Sequence, residues 1–296
     1  MTAEAATDIL QRRIDEHATR RPQQQQQQGL AANSGAGGPL AWLLAAAAAA
    51  AGGPASPPPV SEVDGLSRLA LLLAHERSKG QSSDWWPYIQ SLPDTPPCAW
   101  MLEEERLAED LGALAAARGL SSGALRGWEA SVQQAGAAAR ARAAALAAAY
   151  GDALGVDAAG VAWGMGHVVS RAFGGGDDVA LAPLIDSCNH RHGAGKPWPL
   201  VLGDNNESGS RVSGVAPESS GGGSSSGDDG LGVLVCVTPE VDGEVQGLEA
   251  GEELCITYGS ISGGGRSGDG GGGESALSVY TSFGFVPDGV DLQAEV

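Results

Sequence analysis

Closely spaced cysteines are missing. Cys98, Cys188, Cys236 and Cys255 lie far apart and form no Cys-x-x-Cys pair, so neither a zinc knuckle nor a disulfide framework is expected, and a reducing compartment fits. Positive charge is scarce too: Lys and Arg number 17 against 36 Asp and Glu, a formal net charge of -19. General affinity for nucleic-acid phosphates comes from basic side chains displacing counterions, so no nucleic-acid partner is expected. The acidic balance instead favours solubility and long-range attraction of a basic protein. No long apolar run is present either. The stretch 40–51 is too short and too rich in alanine to span a bilayer, which excludes a membrane partner by this reading. An acid-poor leader is also lacking, because Glu4, Asp8, Asp15 and Glu16 suit neither a secretory signal nor a typical transit peptide. An intracellular protein is the expectation these absences leave.

What is present predicts one core of moderate size. Forty-six glycines and long alanine and glutamine runs shrink the foldable part, yet 42% of the chain is hydrophobic and it holds seven tryptophans. Residues 1–60 read as a low-complexity region: a short polar helix over 1–21, with Ile9, Leu10 and Ile14 on one side, then the Gln23–Gln28 run and an Ala/Gly/Pro linker closed by Pro57–Pro59. The character changes at Leu66. Leu66, Leu69, Ala70, Leu73 and Ala74 follow helical spacing up to Lys79-Gly80, and further helices are predicted over 102–117, 125–150 and 158–173. The aromatic turn Trp85-Trp86-Pro87-Tyr88-Ile89 reads as core anchors beneath a loop. Beyond Phe173 the period shortens. The apolar run 233–237 predicts a buried strand, and Leu254, Ile256 and Tyr258 alternate as in a half-buried one. Ser/Gly-rich stretches at 208–230 and 260–273 read as inserts, and 289–296 as a tail.

Chemistry concentrates in the second half. Ser170-Arg171-Ala172-Phe173 precedes Pro183-Leu184-Ile185-Asp186-Ser187-Cys188-Asn189-His190; then come Gly251-Glu252-Glu253, Tyr258-Gly259 and Phe283-Gly284-Phe285-Val286-Pro287. In order and identity these residues resemble the SET-domain protein methyltransferases of the Rubisco large-subunit lysine methyltransferase type. Glu76-Arg77-Ser78 and Trp86-Pro87-Tyr88-Ile89 are similar to the helical insert those enzymes carry. The resemblance implies an α+β fold: a helical insert at 61–170, then a SET core at 171–288 whose short strands carry Asn189-His190 and Tyr258 to a shared cleft. In the family a pseudoknot brings the tyrosine against the asparagine. No convincing Gly-x-Gly loop precedes Leu66, and the chain stops before the family's C-terminal helical substrate lobe, so both segments are expected to be lacking.

The resemblance further implies S-adenosyl-L-methionine as cofactor and a protein substrate presenting a lysine. Methyl transfer is an in-line displacement that needs a neutral amine aligned with the methyl carbon and water kept out; no metal is required. By resemblance Tyr258 is the catalytic tyrosine, Arg171, Asn189 and His190 bind the cofactor, and Phe173, Asp186 and Phe283 face the substrate. Phe283 stands where the family usually has tyrosine, which should enlarge or dry the amine pocket. Histidine as the methylated residue, and a non-catalytic or truncated SET module acting in protein binding, stay open as alternatives, as do chloroplast, cytoplasm and nucleus as compartments. A zinc site at Cys188, His190 and His192 is not expected, because a spacing of one residue suits structural zinc poorly. His75 and His167, in helices outside the motif, read as packing or surface residues.

Overall fold

The computed structural model describes residues 1–20, 57–174, 176–191, 197–200, 233–236, 240–241, 244–245, 250–256, 258, 275–287 and 292. The glutamine run, the inserts at 208–230 and 260–273, His192, Val237 and Gly259 lie outside them. The chain divides into two compact units, a helical body formed by Met1–Ser187 with Gly259–Val296 and a second unit, Cys188–Tyr258.

The body contains α1 (Ala3–Arg20), α2 (Gly65–Ser78), α3 (Trp86–Ser91), α4 (Glu104–Arg118), α5 (Ser122–Leu154), α6 (Ala158–Arg171) and α7 (Ala276–Phe283). The starts of α2, α5, α6 and α7 are set by side-chain caps that satisfy a backbone N–H the first turn leaves without a partner. Asp64 accepts from Ser67 N at 3.2 Å, Ser121 from Ala124 N at 3.2 Å, Asp157 from Gly160 N at 2.7 Å and Ser275 from Ser278 N at 3.0 Å. Glycines in the left-handed region stop α4, α5 and α7: Gly119, Gly155 and Gly284.

Helix α2 is buried almost all round, from Ser67 to Glu76, which marks it as the central helix of the body. It crosses α6 closely: a Cβ on Gly164 would come within 2.4 Å of the Ala70 carbonyl oxygen, so only glycine allows this approach. The 33-residue α5 serves two cores. Its C-terminal half puts Ala143, Leu146, Tyr150 and Leu154 into a cluster with α1, α2 and α6. Its N-terminal half puts Ala124, Trp128 and Val132 against Leu107 and Leu111 of α4 and Ala276 and Tyr280 of α7.

The predicted helices form with shifts of a few residues at their ends. One shift matters for the site, because α6 ends at Arg171 and Ala172–Phe173 becomes β1, antiparallel to β2 (Ala180–Leu181). The N-terminal helix, polar in its sequence, is packed into the body. Ala3, Ala6 and Leu10 are fully buried; Ala3 N donates to Val179 O at 3.0 Å and Leu181 N to Met1 O at 2.8 Å. Arg68, itself buried, donates to Thr7 Oγ1 at 2.7 Å and pairs with Asp177.

The second unit is built on short ladders. β3 (Asn189–His190) pairs in parallel with β8 (Cys255–Ile256); β4 (Pro197–Leu200) is antiparallel to β5 (Val233–Cys236), and β6 (Glu240–Val241) to β7 (Glu244–Val245). The alternation expected at 254–258 is partial, since Ile256 is buried while Leu254 is exposed. Among the described residues no helix is long and apolar enough to cross a membrane.

Candidate functional site

In the body, the end of α6 meets the turn that follows β2. Arg171 Nη1 donates to the Asp186 backbone carbonyl at 3.2 Å and lies 3.8 Å from its carboxylate Oδ2. Asp186 sits in a 3₁₀ turn, Ile185–Ser187, with its side chain wholly buried. That turn is entered through Leu184 at φ 79°, the left-handed region that a leucine adopts only under strain. From α3, the Tyr88 hydroxyl donates to Asp186 Oδ2 at 2.5 Å, and Ser187 Oγ reaches Oδ1 at 3.4 Å. Burial raises the Asp186 carboxyl above the usual aspartate range, against the opposing pull of Tyr88, Arg171 and Ser187. Burial first, and the adjacent carboxylate second, push the Tyr88 hydroxyl far above the usual tyrosine range. Tyr88 is therefore a fixed proton donor and Asp186 its acceptor. Arg171 Nε is buried and meets no acceptor among the described residues.

One turn earlier on α6, His167 is fully buried with Nε2 3.0 Å from the Pro93 carbonyl and its ring 4.5 Å from that of Trp163. A carbonyl only accepts, so Nε2 carries the proton in the neutral ring. Burial, then the nearby positive charge of Arg171, lower its pKa to about 4, so the ring is neutral at pH 7. Phe173 is half-buried on β1, opposite Ala180. Phe283, half-buried, is the last residue of α7, its ring centroid 6.3 Å from that of Phe285.

In the second unit, the parallel pairing aligns Asn189 with Cys255 and His190 with Ile256. Two residues beyond the ladder, Tyr258 N donates to His190 Nδ1 at 3.1 Å, and the Tyr258 hydroxyl donates to the Cys188 carbonyl at 2.7 Å. The rings of His190 and Tyr258 are 5.3 Å apart. Asn189 Nδ2 donates to Glu253 Oε1 at 2.6 Å and Arg191 Nη1 to Glu252 Oε1 at 3.4 Å, both on the exposed surface. Because Nδ1 of His190 accepts, the neutral ring that keeps this bond holds its proton on Nε2.

Of the residues singled out from sequence, Arg171 and Asp186 meet each other in the body, and in the second unit His190 meets Tyr258 while the Asn189 side chain is bonded to Glu253. Phe173 and Phe283 stand on separate elements of the body. Tyr88 and Glu253 are the additions: each gives or accepts a short bond to a motif residue, and neither carries a local signal, being 98 and 64 residues from its partner. Glu253 lies in the Gly251-Glu252-Glu253 motif, but no pattern pointed its carboxylate at Asn189. No three His, Cys, Asp or Glu side chains converge as on a metal ion among the described residues. Comparison with protein-family models gives no match, and neither do searches of curated proteins and of solved structures.

Proposed function

We propose that the chain is an S-adenosylmethionine-dependent protein-lysine N-methyltransferase, with Tyr258 as the residue at the reacting groups. The observation that carries this reading is the β3–β8 ladder. Two sequence-distant segments, Asn189-His190 and Cys255-Ile256, lie side by side in parallel, and the chain leaving the second delivers Tyr258 onto His190 and the Cys188 carbonyl. Such an arrangement supports a tyrosine held by its backbone N–H and by its hydroxyl proton together. With that proton given to Cys188 O, the hydroxyl oxygen keeps lone pairs to accept from an amine N–H and orient its nitrogen.

Each of the two units, taken by itself, carries residues proposed for the cofactor. In the body, Arg171 Nε is a buried donor that lacks an acceptor among the described residues, which supports its proposed part in holding the cofactor. Asn189 and His190 would hold the adenosyl part. When bound, the cofactor supplies an electrophilic methyl on a sulfonium, which the lysine nitrogen takes as the thioether leaves. The chain's own contribution is to bind and orient and to keep the amine neutral at the point of attack. A substrate rich in lysine also suits the net charge of -19.

Calorimetric titration of the full chain with S-adenosylmethionine tests the assignment. Saturable binding is expected, and weaker binding by Asn189→Ala, which removes an amide proposed to hold the cofactor. Tyr258→Phe should bind the cofactor nearly as well and transfer no methyl groups to lysine-bearing protein. Absence of binding by the unaltered chain would sink the assignment in favour of a non-catalytic module.

A further inference from the structure

Resting on the methyltransferase reading, we infer that Tyr88 is a positioning residue for cofactor binding, its hydroxyl fixing the Asp186 carboxylate and, through Asp186, the Arg171 guanidinium. The geometry is specific. Tyr88 gives its proton to Oδ2 at 2.5 Å, the same oxygen that faces Arg171 at 3.8 Å, while Arg171 Nη1 holds the Asp186 carbonyl at 3.2 Å. Three elements thus converge on one buried carboxylate: α3 with Tyr88, α6 with Arg171, and the turn carrying Asp186 itself. A wholly buried carboxylate with a long ion pair needs a second strong donor to stay ionised, and Tyr88 is that donor. It is anchored in turn by its ring, which packs edge-on against Trp85 at 5.8 Å.

Among the described residues, the groups facing Asp186 are few enough to give the arrangement a pH signature. They are Tyr88 from α3, Arg171 from α6, and Ser187 beside it in the turn, with neutral His167 one turn before Arg171. Protonating Asp186 releases Arg171 from its counter-ion, so affinity for the cofactor falls on the acid side. The Tyr88 hydroxyl favours the ionised carboxylate and holds that acid limb down.

The experiment titrates S-adenosylmethionine into the full chain, Tyr88→Phe, Asp186→Asn and the double variant from pH 5 to pH 8 on the order of half-unit steps, with circular dichroism as the folding control. Tyr88→Phe is expected to bind about tenfold more weakly near neutrality, with its acid limb moved to higher pH. In the Asp186→Asn background, which has no acid limb, adding Tyr88→Phe should change nothing further. An equal loss at every pH, the same loss in the Asp186→Asn background, or no loss at all would each overturn the inference while leaving the cofactor assignment standing. Failure of the unaltered chain to bind would remove both. If Tyr88→Phe does not fold, placing 3-fluorotyrosine at position 88 keeps the shape and makes the hydroxyl a stronger donor. The acid limb must then move to lower pH; a limb that stays where it was refutes the coupling.

Discussion

Asp186 and Glu253 each accept one short bond that orients a candidate functional residue, yet their surroundings differ. Asp186 receives Tyr88 at 2.5 Å inside the helical body with its side chain wholly buried, whereas Glu253 receives Asn189 at 2.6 Å on the exposed face of the second unit. Nearly equal distances therefore mean different energies. In the body, water cannot substitute for a lost partner, so burial shifts the titration of Asp186, Tyr88 and His167 together. On the exposed ladder, solvent replaces either partner at little cost, and order comes from the backbone register of β3 and β8. The body makes electrostatics strong; the second unit makes geometry.

Packing changes in the body should give the largest effects. Trp163, 5% exposed, lies beneath the Arg77 guanidinium at 4.1 Å and against His167, so Trp163→Ala is expected to lower the unfolding free energy by about 3–5 kcal/mol in urea denaturation. A loss below about 1 kcal/mol would show that the α2–α6 core closes over the gap and would break the contrast.

His167 gives the next effect, through pH. Its folded pKa of about 4 lies below the ordinary 6.5, so the unfolded chain takes up the proton first as the solution is acidified. The stabilisation is complete above about pH 6.5 and is lost as pH falls toward 4, a swing of about 3 kcal/mol. Asp186, raised in the fold, acts in the opposite sense, so the informative quantity is the difference between the unaltered chain and His167→Gln. Their urea midpoints should converge or cross as pH is lowered; parallel profiles would refute the neutral buried ring.

The smallest effect belongs to the exposed ladder. Glu253→Ala should change unfolding free energy by no more than about 0.5 kcal/mol. A cost above about 2 kcal/mol would mean that the Asn189 bond is shielded from water, and the two carboxylates would then belong to one class.

Much of the body was legible because its signals are local. Leu69, Ala70, Leu73 and Ala74 follow helical spacing and are buried on α2, which ends at Ser78, just before Lys79-Gly80. The packing of α1 was not, because its buried face is made of Ala3, Ala6 and one leucine, too little apolar contrast to distinguish it from a polar helix. Tyr88 reads as a core anchor, which its ring contact with Trp85 supports, but the destination of its hydroxyl lies 98 residues away and no spacing encodes it. The left-handed Leu184 was invisible for another reason: that conformation is normally announced by glycine or asparagine, and here the surrounding turn imposes it. Within the motif, residue identities point to Asn189, His190 and Tyr258; no spacing encodes the parallel ladder of Asn189-His190 with Cys255-Ile256 or the bond from the Tyr258 hydroxyl to the Cys188 carbonyl.

The buried thiol of Cys98 offers a clock. Its Sγ lies 3.0 Å from the Gly166 carbonyl on α6 and 3.1 Å from the Ser282 carbonyl on α7, and burial pushes its pKa up to about 12. Alkylating reagents consume thiolate, so at neutral pH Cys98 reacts only in molecules whose α6 and α7 have parted around it. The half-buried Cys188 and Cys255 lie in the other unit and need no such opening. Timed labelling followed by mass mapping would therefore read the breathing of the helical body separately, from the native thiols alone.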